Sequence, residues 1–236
     1  MELHPTPFLI AAAILLPACT TTPPPAPAEQ SVNPGINTRY LDPDLDPTEW
    51  TKRFEVESRE VYDARLEIVK AIGLRSGMDI ADVGAGTGLF VEPFARAIGP
   101  DGTVYALEIA PAFVKHIQER AAANNLPNVR SQLCSETSID LPPDSIDIAF
   151  VCDVYHHFEY PQSSLASIHK ALRPNGQLIV IDFERIPGVS AEWLLNHVRA
   201  GKEVVTAEIE AAGFELIEQE LTDRLKENYF LRFAKR

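Results

Sequence analysis

The chain has 236 residues, a formal net charge of −13 at neutral pH and 45% hydrophobic residues, with a pI near 4.9. That length suits one domain with a single sizeable core once a front segment is set aside. The acidity argues against nucleic-acid backbones and anionic membrane surfaces as partners, since both need clustered Lys and Arg.

Phe8 to Leu16 is an unbroken apolar run, long enough for a signal-peptide core and short of the ~20 residues that span a bilayer. It ends in Leu16-Pro17-Ala18-Cys19, which resembles the cleavage box of bacterial lipoproteins and implies a lipid anchor at Cys19. Residues 1–19 are therefore expected to be a signal peptide, with no transmembrane span in the mature chain. Residues 20–40, rich at first in Thr, Pro and Ala, are expected to be a disordered tether. An exported, periplasmic or membrane-anchored protein follows. The lack of Lys or Arg before the apolar run, and Pro17 within the box, keep a cytoplasmic location as the alternative.

Residues 41–76 read as a helical lid. A turn at Asp42-Pro43-Asp44-Leu45-Asp46-Pro47 precedes a helix whose apolar face would carry Trp50, Phe54, Val61, Leu66 and Val69. From Met78 short apolar runs alternate with helix-like segments, the pattern of a parallel sheet with crossover helices. Strands are predicted near 78–84, 103–108, 128–133, 146–152 and 177–183, with helices over 89–98, 111–124 and 162–172. Pro174-Asn175-Gly176 supplies the turn into the fifth strand. A helix over about 191–212, broken at Gly201, then leads to two closely spaced strands, 214–220 and 228–234, which fit an antiparallel hairpin.

Asp82-Val83-Gly84-Ala85-Gly86-Thr87-Gly88-Leu89-Phe90 is the most informative stretch. Its glycines fall where the first strand turns into a helix, so backbone can approach a ligand that a Cβ would exclude, and helix N-terminal N–H groups face an anionic group. A dinucleotide-binding turn has its third glycine two residues after a variable pair; that position holds Leu89, which counts against NAD or FAD. The second strand ends in Glu108, a carboxylate able to accept hydrogen bonds from both hydroxyls of a ribose.

Asp82 to Gly88, Glu108, Leu141-Pro142 with Ser145-Ile146-Asp147, His156-His157-Phe158 and Leu172-Arg173-Pro174-Asn175-Gly176 together resemble the motif series of class I S-adenosylmethionine-dependent methyltransferases. The branch most resembled is the ubiquinone/menaquinone C-methylase-like small-molecule enzymes. The resemblance implies an α/β fold: one Rossmann-like domain over 77–236, with a mostly parallel seven-stranded sheet, an antiparallel C-terminal hairpin and helices on both faces. It implies S-adenosylmethionine as cofactor and a small-molecule or lipid-like methyl acceptor. Asp82 would hold the cofactor's amino group and Glu108 its ribose, with Gly84, Ala85, Gly86, Gly88, Glu136 and Asp153 as further cofactor-binding candidates. Glu136 is the choice for the adenine amino group, and Asp147 is read as structural.

Tyr155, His156 and His157 lie where the acceptor would approach and are the catalytic candidates. Neutral imidazole can take a proton near neutrality, and packing is the competing role for His157. No carboxylate or cysteine has a recognisable ligand spacing to the histidine pair, so no metal is expected. Cys134 and Cys152 would sit three strands apart in a 3-2-1-4-5 order, roughly 14 Å, and are expected to be free thiols. Two rivals remain: an exported S-adenosylmethionine- or nucleoside-binding protein of this fold without turnover, and a nicotinamide oxidoreductase.

Overall fold

The first strand, β1 (Ile80–Val83), is buried along its whole length, as a central parallel strand covered on both faces must be. Around it a computed structural model, which describes Met1 and residues 29–57, 59–221 and 223–236, places β2 (Val104–Glu108), β3 (Val129–Leu133), β4 (Ile146–Cys152), β5 (Leu172–Phe183), β6 (Phe214–Glu220) and β7 (Asn228–Lys235). The order across the seven-stranded sheet is β3-β2-β1-β4-β5-β7-β6. The first five strands pair in parallel, and β7 is antiparallel to both β5 and β6. Fold class and terminal hairpin are those expected from the sequence. Beyond Met1, the signal-peptide segment, Cys19 and the tether up to residue 28 lie outside the described residues.

Helices cover both faces. α2 (Arg59–Ile72), α3 (Val91–Ile98) and α4 (Pro111–Ala123) pack Ile68, Phe94 and Ile117 against Ile80, Phe150 and Ile179. On the other face α5 (Pro161–Ala171) and α7 (Lys202–Ala211) pack Leu165, Ile168 and Ile209 against Ala81, Val151 and Val180. At the end of the sheet remote from the glycine turn, Arg173 binds Asp79 and Asp147, each at 2.7 Å. Asp147 also accepts the Asp79 N–H at 2.8 Å. Asp147 is thus structural, as read from the sequence. None of the described helices is long and apolar enough to cross a membrane.

The expected single lid helix is two, α1 (Pro47–Glu57) and α2. Its face is also different. Val61, Ala64, Ile68 and Ile72 are buried at helical spacing, whereas Leu66 lies off that stripe and is 66% exposed. Pro174-Asn175-Gly176 lies inside β5 as a local interruption, with Asn175 at φ 67° and a shift in the β4–β5 register. The 191–212 helix splits into α6 (Glu192–His197) and α7.

The largest correction concerns residues 29–40, which are a packed strap and not a tether. Glu29 accepts the Gln162 and Ser163 N–H groups at 2.9 and 2.7 Å, serving the open amides at the start of α5. Buried Glu159 accepts hydrogen bonds from Ser31 Oγ (2.7 Å) and the Gly35 N–H (2.9 Å), and the Val32 N–H donates to the Glu159 carbonyl. Composition suggested disorder, but the strap's partners are supplied by Glu159, Gln162 and Ser163, more than 120 positions downstream.

Candidate functional site

Parallel register brings the site together. Val83 pairs with Leu107, and the Gly84 and Ala85 N–H groups both donate to the Leu107 carbonyl, at 2.8 and 3.1 Å. The turn after β1 is thereby held against the end of β2, where Glu108 begins. Its carboxylate accepts the Gly86 N–H at 2.7 Å with one oxygen and the Ile109 N–H at 2.9 Å with the other. The second oxygen also accepts the Ala110 N–H, at 3.3 Å, so the Gly86-bonded oxygen keeps the clearer acceptor capacity. Gly84 has φ 72°, and a Cβ there would overlap Val154. At Gly86, φ is 55° and a Cβ would meet Phe54 Cε2 at 3.3 Å, so the lid aromatic closes directly on the turn.

The cavity above these strand ends has an empty volume of about 1230 Å³, part of it open to solvent. Its floor is Asp82, Gly84, Ala85, Gly86 and Glu108; Cys134, Glu136, Asp153 and His157 form further walls. The strap and α1 contribute Asn37, Tyr40 and Phe54 as the roof, facing Phe113 of α4. Tyr40, Trp50 and Phe54 form a chain of ring contacts at 4.9 and 5.4 Å. Asn37 donates to the Glu136 carboxylate at 3.2 Å and to the His157 carbonyl at 3.1 Å. Breaking the strap's anchor is expected to expose this roof. Glu159→Ala removes the hydrogen bonds from Ser31 and Gly35, each contributing about 1.5–3 kcal/mol, so amide exchange over residues 31–40 should accelerate by about 100-fold or more. Unchanged protection would show that the strap is held by other contacts.

Asp82 and Glu108 are both buried, at 4% and 7% exposure. Burial pushes the Asp82 carboxyl up to about 8, with the neighbouring Glu108 charge adding to the rise. Burial also raises Glu108, while the Gly86, Ala110 and Ile109 N–H groups hold it back. No hydrogen bond from the described residues reaches the Asp82 carboxylate. The floor therefore presents two buried carboxyls whose ionised forms a bound cation would favour, complementary to a cation that also carries hydroxyl donors.

Other expected site residues divide. Glu136 and Asp153 line the cavity. Asp153, in a left-handed conformation at φ 52°, accepts the Asn228 side-chain N–H at 2.7 Å. Gly88 is not among the residues lining the cavity; it packs against Ile117. Tyr155 is fully buried in the opposite core and its hydroxyl donates to Glu208 at 2.9 Å, so it does not face an acceptor. Cys134 and Cys152 are free thiols. Burial pushes Cys134 up to about 12 and Cys152 well above the usual thiol value, which disfavours the thiolate form at both.

Of the two histidines only His157 lines the cavity. Burial, then the neighbouring His156, His197 and Arg39, push its pKa far down, so the ring is neutral and a weak base. His156 sits behind it, with Nδ1 2.8 Å from Asp182 Oδ1. Burial opposes its charged form, but the Asp182 charge and hydrogen bond outweigh burial and raise its pKa. The sequence reading missed Asn37 and Tyr40, because they were assigned to a tether, and His197, because nothing in the local pattern ties α6 to the pair.

Residues 81–180 match a family described as methyltransferase domain. Over 113 residues, 48% of this chain, the sequence is 26% identical to the ubiquinone/menaquinone biosynthesis C-methyltransferase UbiE of Burkholderia cenocepacia (strain HI2424), covering 46% of that protein. The chain thus spans about half the length of the curated relatives it matches. Among solved structures, a SAM-dependent methyltransferase from Aquifex aeolicus superposes with TM-score 0.71 at 23% identity, over 82% of this chain and 100% of that one. The [4+2]-cyclase SpnF superposes with TM-score 0.63 at 17% identity, over 73% of this chain and 81% of its own. At such identities the likeness shows the fold alone.

Proposed function

We propose that this chain, whose residues 81–180 match a methyltransferase domain family, is a class I S-adenosylmethionine-dependent methyltransferase that transfers a methyl group to a small-molecule or lipid-like acceptor. One observation carries the reading: two buried carboxyls, Asp82 and Glu108, flank a glycine turn on the floor of a roofed cavity. A nucleoside with a positively charged tail fits that set. Asp82, which receives no hydrogen bond from the described residues, would take the α-ammonium, and Glu108 the ribose hydroxyls. Glu136, whose carboxylate accepts an Asn37 N–H and lines the cavity, would take the adenine amino group.

When bound, the cofactor supplies an electrophilic methyl group on a sulfonium. The chain's own residues hold and enclose. Phe54, Tyr40 and Phe113 exclude water from above, and Val154 and Phe158 form an apolar wall beside His157. Neutral His157 can hydrogen-bond an acceptor hydroxyl and orient it. These residues would aim the acceptor's nucleophilic atom at that methyl group, and the acceptor proton would pass to solvent through the open part of the cavity. Alignment of this kind contributes several kcal/mol without a strong base, about 7–11 in the best cases.

Calorimetry with S-adenosylhomocysteine, followed by release of that product from S-adenosylmethionine in the presence of phenolic, quinol and lipid acceptors, tests the reading. Binding with acceptor-dependent release is the expected result. Absence of any binding would overturn it, and binding without release across all acceptors would favour a binding protein of this fold. We further place the protein outside the cytoplasmic membrane, on the apolar run and cysteine of residues 8–19. Cell fractionation that finds the mature chain in the cytoplasm with Met1 intact would remove that placement.

A further inference from the structure

His156, His157 and His197 each bring a ring nitrogen within 4.8 Å of the other two. The rings contact one another at centroid distances of 4.3, 5.1 and 5.1 Å. We propose that these three histidines form a site for a divalent transition-metal ion of the Zn²⁺ class, at the wall of the cavity. The proposal stands whether or not the protein transfers methyl groups.

Four features of the geometry support it. The first is convergence from separate elements: His156 and His157 come from a single 3₁₀ turn (Tyr155–His157) after β4, and His197 from the last turn of α6. The second is an orienting carboxylate. Asp182 at the end of β5 binds His156 Nδ1 at 2.8 Å, and is itself held by the His156 and Phe183 N–H groups at 3.0 and 2.8 Å. That arrangement fixes the ring, leaves Nε2 as its ligand atom and raises its basicity, as carboxylates do behind metal-bound histidines. The third is an unsatisfied atom: His157 Nδ1 is buried and makes no hydrogen bond among the described residues, a desolvation cost that a bound metal ion would remove.

Ligand chemistry is the fourth. Imidazole suits Zn²⁺, Cu²⁺, Ni²⁺ and Fe²⁺, and three protein nitrogens are the complement of sites that keep a fourth position for water or a ligand. At Zn–N distances of about 2.0–2.1 Å a tetrahedral set has nitrogens roughly 3.3–3.4 Å apart, so the rings would close on the ion by up to about 1.5 Å. The charge balance is mixed: the Arg39 guanidinium, stacked over Tyr40 and Trp50, opposes a cation, while Asp182 and Asp153 favour one.

The full chain, stripped with chelator and titrated with Co²⁺, tests the site. One equivalent should give the visible d–d bands of a low-coordinate nitrogen site, and Zn²⁺ should displace it. His197→Ala and His197→Gln, two variants that remove the ligand with different steric cost, should each abolish the bands. Asp182→Asn should weaken affinity about 10- to 100-fold. Absence of the bands in the wild-type chain overturns the proposal. So does equal binding by either folded His197 variant, which would place the ion at another histidine or cysteine.

Discussion

Glu108→Ala is expected to weaken binding of S-adenosylhomocysteine by about 100-fold or more. Two hydrogen bonds from ribose hydroxyls to a buried carboxylate, at about 1.5–3 kcal/mol each, correspond to at least that factor. The same carboxylate also receives the Gly86, Ile109 and Ala110 N–H groups, so the variant loosens the turn as well as losing the ribose. A 2′-deoxy analogue of the ligand separates the two effects. Wild-type protein should prefer the ribose form on the order of 10-fold, and Glu108→Ala should lose that preference. Retained affinity, or retained discrimination by the variant, would sink the ribose assignment.

Asp82 carries the second large effect, read as pH dependence. Its carboxyl is pushed up to about 8, first by burial and then by Glu108, so below that pH the free protein holds it protonated. Binding an α-ammonium requires the carboxylate. Apparent affinity should therefore fall about tenfold for each pH unit below 8. It should fall again at higher pH, where the ligand's own α-ammonium loses its proton. Asp82→Asn should flatten the acid limb and weaken binding at its maximum. Calorimetry between pH 6 and 9 reads both, and a wild-type affinity that is level from 6 to 8 would contradict the assignment.

The same shift has a consequence for stability, with its own sign. A carboxyl whose pKa rises from 3.8 to about 8 on folding binds more protons in the native state across that window. Stability of the ligand-free protein thus declines as pH rises from 3.8 to about 8. Asp82→Asn, which cannot ionise, should melt higher than wild type at pH 8 and alike near pH 4. Each 1 kcal/mol gained would appear as about 2–4 °C for a chain of this size. Lower affinity together with higher melting temperature distinguishes loss of a ligand contact from damage to the fold.

The amino-acid sequence by itself determined the sheet and the floor of the site. Strands buried on both faces read as short apolar runs, the glycine turn has one backbone use, and a carboxylate at the end of β2 must sit beside the end of β1 once the two strands pair in parallel. These are local patterns whose meaning survives without knowledge of the rest of the chain. What only the tertiary structure decided is whatever depends on partners distant in sequence. Glu159 makes a strap of residues that composition alone assigned to a tether. The core registers α2 so that Leu66 faces solvent. Tyr155 turns away toward Glu208, and α6 brings His197 to the histidine pair. Composition and periodicity report what a segment could bury, whereas these outcomes depend on which buried hydrogen-bond acceptor or packing face another segment happens to present.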